Sequence, residues 1–249
     1  MCDPIRRPVW DDYGDKVLGP IAYAKPYAVD AGKGSGPVRL RRCGSSTSIA
    51  IGGEWPAEVL ALGSDAVTVS SDNAEHTYLI GCGTRLTWPA LKWPATSTAT
   101  HVRGAAILSD RNIAGAWRIR RVPLDGACDR ARAALRVEVS GAGRPVRAAA
   151  RAATFADAAT GATAAQVTGL RGAAPTLRLA AGGKATVRSG RALGALRWRA
   201  LGAWKAAKGS GRRWTLAAPH LRSARTVTLR AAYRGGGTGT FALRAQPAR

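Results

Sequence analysis

The chain has 249 residues, with 38 Lys and Arg against 15 Asp and Glu and a formal net charge of +23 at pH 7. That length suits one large β domain or two smaller ones, each able to bury its own core, and two are expected here. No apolar run reaches the roughly 18–20 residues that cross a bilayer, which excludes a membrane-spanning helix. The opening MCDPIRRPVWDDYGDK lacks the basic, apolar, small-residue order of a signal peptide, so either the protein is cytoplasmic or its start is missing.

The charge is uneven. Residues 1–100 hold ten Lys/Arg and ten Asp/Glu, whereas 101–249 hold 28 and five. After Asp157 there are 17 basic residues and no acidic one, a field that attracts polyanions and weakens in salt. A plainer source of the excess is a GC-rich coding sequence, which enriches Arg, Ala and Gly together; Arg outnumbers Lys 31 to seven.

In chain order, four Asp residues mark similar bends: Asp30 in YAVDAGKGSG, Asp72 in VTVSSDNAEH, Asp110 in AILSDRNIAG and Asp157 in TFADAATGATAAQV. The last stretch reads as strand, turn, strand. Asp157 and Thr160 can hydrogen-bond their own backbone there, and Gly161 accepts a positive φ. The Asp spacings are 42, 38 and 47, and Cys2, Cys43, Cys82 and Cys128 are separated by 41, 39 and 46. A period near 40 with short strands is what the blades of a β-propeller produce.

The hairpins, FADAATGATAAQV above all, resemble the Asp-x-x-Thr-Gly hairpins of quinoprotein-type propeller repeats. VRLRRCGS and LALGSDAVTV resemble degenerate blades of extracytoplasmic propeller proteins from GC-rich actinobacteria. The resemblance covers about residues 16–170 and implies an extracytoplasmic, propeller-like region over residues 1–170 with about four blade-like units. In that family an aromatic residue follows the hairpin Asp and docks between blades; here Ala165, eight positions after Asp157, stands in its place, and no quinone cofactor is implied. With four units, an open or truncated arc leaves strand edges free, and self-association through them is expected.

LTWPALKWPATSTAT carries Trp88-Pro89 and Trp93-Pro94 and reads as an edge strand or loop, its Trp rings covering the core. Arg144–Ala165 is Ala-rich, yet the turn and the period favour strand over helix. From residue 171 short alternating runs follow. Val187, Leu196, Trp198, Trp214, Leu216, Val227, Leu229, Phe241 and Leu243 fall on one side, while Arg178, Arg188, Arg197, Arg199, Arg230 and Arg244 fall mostly on the other. Residues 171–249 therefore resemble an immunoglobulin-like or fibronectin-like antiparallel β-sandwich, without its disulfide.

No residue earns a catalytic, cofactor-binding or metal-binding role. His76, His101 and His220 lack a second ligand at close spacing. Ser70, Ser71, Asp72 and His76 cross a turn without an oxyanion element. The glycine-rich AGKGSG (31–36) and RGGGTG (234–239) lack the order of a phosphate loop and read as loop tips. The four cysteines fit either two disulfides or buried thiols. The best binding candidates are Arg188, Arg197, Arg199, Arg212, Arg213, Arg222, Arg225 and Arg230. The expectation is a non-enzymatic, all-β scaffold that binds a protein or an envelope polymer. The alternatives are a polyanion-binding protein acting through its C-terminal domain and a fragment of a propeller enzyme without its active site.

Overall fold

The computed structural model describes residues 22–24, 27–30, 37–43, 45–52, 57–71, 74–89, 94–112, 114–167, 172–180, 182–218 and 221–248. The expectations on Cys2, on the glycine-rich stretch 31–36, and on Asp72, Trp93 and His220 lie outside them. The described residues form an all-β protein with one helix. That helix is not long and apolar enough to cross a membrane. The chain divides into two compact units: residues up to Cys128 with Ala158–Thr163, and Asp129–Asp157 with Ala164–Arg249. The second unit thus takes in residues 129–157, which a boundary at 170/171 assigns to the repeats.

The first unit is a series of antiparallel meanders. β1 (Ala22–Ala24), β2 (Tyr27–Asp30), β3 (Val38–Arg42) and β4 (Ser48–Gly52) pair in chain order. So do β5 (Ala57–Leu62), β6 (Ala66–Ser71), β7 (Ala74–Leu79) and β8 (Thr84–Pro89), and then β9 (Pro94–Val102), β10 (Ala105–Asn112) and β11 (Trp117–Pro123). The leading strands of successive sheets approach one another, β1 with β5 and β5 with β9. No sheet closes on itself among the described residues.

The repeated Asp device is only partly what the spacing suggested. Asp110 lies inside β10, opposite Arg118, and is 1 % exposed, so it is a buried ion-pair partner rather than a bend residue. Trp88 is buried at 2 %, as a core ring should be, and its Nε1 donates to Thr160 O at 2.9 Å. A tryptophan therefore does meet the Thr160-Gly161 turn, from β8 rather than from position 165.

Helix α1 (Ala127–Ala134) follows β11. Its Ala content favours helix, and Ala127, Ala131 and Ala134, at i, i+4 and i+7, form a buried stripe of small side chains. Gly190 is where the chain needs no side chain, since a Cβ there would stand 2.5 Å from Ala133 O. Tyr233 donates to Ala134 O at 2.6 Å at the helix end.

The second unit contains β12 (Val137–Ser140), β13 (Val146–Arg147), β14 (Ala149–Asp157), β15 (Ala162–Gln166, whose first residues belong to the first unit), β16 (Thr176–Leu179) and β17 (Lys184–Arg199). β18 (Lys205–Ala206), β19 (Lys208–Ala217), β20 (Arg225–Tyr233) and β21 (Gly237–Pro247) complete it. β14 is strand despite its alanines, because Ala153, Phe155 and Asp157 are buried in alternation with exposed Ala152 and Thr154. Gly161 has φ +67°, the conformation the turn demands.

Long β17 pairs with β12 and β19 through its first half and with β18 and β20 through its second. β21 pairs with β20, with β14, and in parallel with β16. The inward side chains of both halves meet: Val139, Ala185 and Leu216 face Leu177, Trp198 and Leu243 around a cavity of only 10 Å³. All nine apolar residues assigned inward by alternation are buried, each worth about 1.5–3 kcal/mol when fully removed from water.

Cys82 and Cys128 form a disulfide with Cα atoms 5.5 Å apart, closing a loop across 46 residues of the first unit. Cys43 is also disulfide-bonded, and among the described residues no cysteine is free. Replacing both Cys82 and Cys128 with Ser is expected to lower stability by about 4 kcal/mol on the chain-entropy account. Urea unfolding followed by Trp fluorescence measures it; an unchanged midpoint would mean that the crosslink constrains nothing.

Candidate polyanion interface

Period-2 alternation puts every second residue of β17, β20 and β21 on one surface, and strand register then decides which cations become neighbours. Arg197 lies directly opposite Arg230, and Arg199 opposite Thr228. Across the next ladder Arg230 meets Thr240, and Thr226 meets Arg244. Arg244 in turn pairs with Thr176 of β16. The result is a surface of exposed arginines, Arg197, Arg199, Arg230 and Arg244, interleaved with threonines.

The other predicted residues are exposed too, but the structure scatters them. Arg188 is opposite Arg213 on β19 and has Glu138 as its neighbour on β12, so this second pair is not free of acid. Arg212 lies next to Arg213 on β19, Arg222 in the bend before β20, and Arg225 at the first position of β20. Sequence reasoning left Arg244 and Arg178 out of the site, although both had been assigned to the outward side. Cross-strand register, which the sequence does not print, brings Arg244 into the patch.

The electrostatics turn on what is missing from this surface. The second unit has three carboxylate side chains, Asp129, Glu138 and Asp157. Asp157 is buried and takes a fork from Arg130, Nε to Oδ1 at 2.8 Å and the terminal nitrogen to Oδ2 at 3.1 Å. Asp129 pairs with Arg132 at 3.1 Å, and Glu138 with Arg136 at 2.7 Å. Every one of these partners lies in or next to α1, so the unit has no acidic side chain left to neutralise Arg197, Arg199, Arg230 or Arg244.

Trp198 and Trp214 serve the core: they are 3 % and 6 % exposed, so neither offers an open face for stacking on bases. Gly235, Gly236 and Gly237 all have positive φ and form the turn between β20 and β21, a loop tip as expected.

Of the residues weighed for catalysis, Ser70 and His76 do not converge. Ser70 is opposite Glu75, whereas His76 is opposite Val69, so Ser70 and His76 point to opposite faces of their sheet. His76 Nδ1 is 3.1 Å from Thr87 Oγ1, and His101 Nε2 is 2.9 Å from Thr68 Oγ1, which also meets Thr77 Oγ1 at 2.9 Å. Among the described residues no group of three His, Cys, Asp or Glu side chains is placed to hold a metal ion. No protein-family model matches the chain, and no curated protein does either.

Burial, helped by the nearby Arg85 charge, pushes the His76 pKa down from 6.5 to about 4, and burial lowers that of His101. Between pH 6.5 and about 4 the unfolded chain therefore takes up a proton at His76 that the folded chain refuses. The stability present at pH 7 is lost as the pH falls through that window. His76→Asn is expected to remove part of this acid sensitivity, on the order of 1–2 kcal/mol for a ring that is not fully enclosed. Melting temperatures at pH 7 and pH 4.5 test it, and equal losses in both proteins would acquit His76.

Proposed function

We propose that the chain is a non-enzymatic binding scaffold of an extracytoplasmic compartment and that its second unit grips an anionic phosphate polymer of the cell envelope. The observation that carries this reading is the Arg197–Arg230 cross-strand pair, exposed on a surface whose unit has spent all its acidic side chains elsewhere. Like charges directly opposite on a sheet repel, at a cost of about 1 kcal/mol or less in water. A bound phosphate removes that cost and accepts from both guanidinium forks, which suit phosphate geometry. The threonine hydroxyls of the same surface add uncharged donors.

The disulfides support an oxidising location, since such crosslinks persist outside the reducing cytoplasm. The successive meanders support reading the first unit as an open, propeller-like arc, and the shared core of the second supports an immunoglobulin-like or fibronectin-like sandwich.

The test is a salt titration of the full chain against fluorescent long-chain polyphosphate, with single-stranded nucleic acid as competitor. Affinity is expected to fall steeply with salt, and Arg197→Gln with Arg230→Gln should flatten the log–log slope by roughly 1.5, at 0.7–0.9 per neutralised contact. An unchanged slope, or binding no tighter than that of a control protein of equal net charge, refutes the reading. Preferential capture of nucleic acid would shift it to that polymer.

A second reading concerns β11, an edge strand whose outward Trp117 and Ile119 are 59 % and 70 % exposed. These are large apolar side chains beside an edge that has no strand partner among the described residues, and they support self-association there. Ile119→Asp is expected to shift sedimentation toward the monomer; a chain that is monomeric to begin with would dispose of the idea.

A further inference from the structure

Beside the arginine surface, where β17 ends and the chain turns into β18, the second unit holds a cavity of 240 Å³. Trp198, Arg199, Leu201 and Lys205 line it, with Ala200, Ala203, Ala217 and Ala218 completing the wall. Its volume is less than the roughly 300–1,000 Å³ of drug-sized sites. Two side chains of the lining are cationic, and all the rest are apolar.

Both cations are held in place. The Arg199 guanidinium sits 4.8 Å from the centre of the Trp204 ring, and Lys205 Nζ sits 5.6 Å from that of Trp198. Each contact leaves N–H groups for an anion: those along the in-plane edge of the Arg199 guanidinium and those of the Lys205 ammonium turned away from the ring. Leu201, 59 % exposed, puts a large apolar side chain at the same place.

The side chains that line it carry no hydroxyl, amide or carboxylate, so what they offer a ligand is cationic N–H donors beside apolar surface. A bare inorganic anion would leave the indole, Leu201 and the alanines without a partner. We propose that this cavity is a binding site for a small organic anion with an apolar body, a carboxylate or phosphate monoester on an aryl or short acyl group. The anionic head meets Arg199 and Lys205, and the body lies against Leu201 and the alanines of the wall. This site goes beyond the polymer interface and shares only Arg199 with it.

Titration calorimetry of the full chain with phenyl phosphate and with benzoate tests the proposal and distinguishes the two head groups. Inorganic phosphate supplies the head alone, and benzamide the body without charge. At least one aryl anion is expected to bind tenfold or more tightly than either control. Lys205→Gln and Arg199→Gln should each weaken it at least fivefold with circular dichroism unchanged, while Arg230→Gln leaves it intact. Inorganic phosphate binding as tightly as both aryl anions, binding of neither, or indifference to Lys205→Gln overturns the site. Because polyphosphate binding is read in a separate titration with Arg197→Gln and Arg230→Gln, failure of the cavity and failure of the polymer interface are distinguishable.

Discussion

The fork from Arg130 to the buried Asp157 carboxylate ties α1 to the end of β14, and it anchors more than the helix. Together with Arg132–Asp129 and Arg136–Glu138 it takes up every acidic side chain of the second unit. Asp157 is 3 % exposed, so losing its partner would strand a buried charge, at a cost of about 3–5 kcal/mol. Strand β14 therefore cannot release this carboxylate without a large loss, and the sheet arginines must find their counter-charge outside the chain.

The first unit handles charge in the opposite way. Glu75 and Asp110 are 0 % and 1 % exposed, and each is held by arginines of β11: Arg120 donates to Glu75, and Arg118 Nε to Asp110 Oδ2 at 2.9 Å. Arg120 also stacks 5.8 Å from the centre of the Trp88 ring, and Arg118 reaches Pro89 O at 3.1 Å. With Thr68, Thr77 and His101 bonded together nearby, the β5–β8 and β9–β11 sheets meet through polar groups rather than a dry core. Burial also lowers the Arg120 pKa, which is the penalty this arrangement carries. Glu75 Oε1, Asp110 Oδ1 and Arg120 Nε are buried there without a hydrogen-bond partner among the described residues, so this polar interior fixes how successive sheets meet while adding little net stability.

The alternation of β17–β21 was legible because one face is apolar and the other charged, and a slip of one residue would exchange them. The hairpin at Gly161 was legible because turn chemistry is local. Asp110 was misread for the same reason: an Asp between polar residues looks like a bend, and only Arg118 across the ladder explains it as strand. Helix α1 went unread because eight residues of mostly Ala and Arg carry little periodic signal. The site was half legible, since exposure follows from pattern, but Arg197 becomes the neighbour of Arg230 only through pairing of strands far apart in the chain.

Nucleotide composition alone does not account for the arginine surface. A GC-rich bias acts along a whole coding sequence, yet residues 1–100 balance ten basic against ten acidic side chains while 101–249 hold 28 against five. Composition can supply arginine, but it cannot strip carboxylates from one part and keep them in the other. Nor does it choose positions: Arg197, Arg199, Arg230 and Arg244 stand with threonines in the outward register of β17, β20 and β21, and the large side chains of the inward register are Trp, Leu, Val, Phe and Tyr. Solubility explains outward charge of either sign. It does not explain Arg197 placed directly opposite Arg230, where Glu would be the stabilising neighbour. A sheet that forgoes such pairs keeps its guanidinium donors available, and that is the property an anion-binding surface requires.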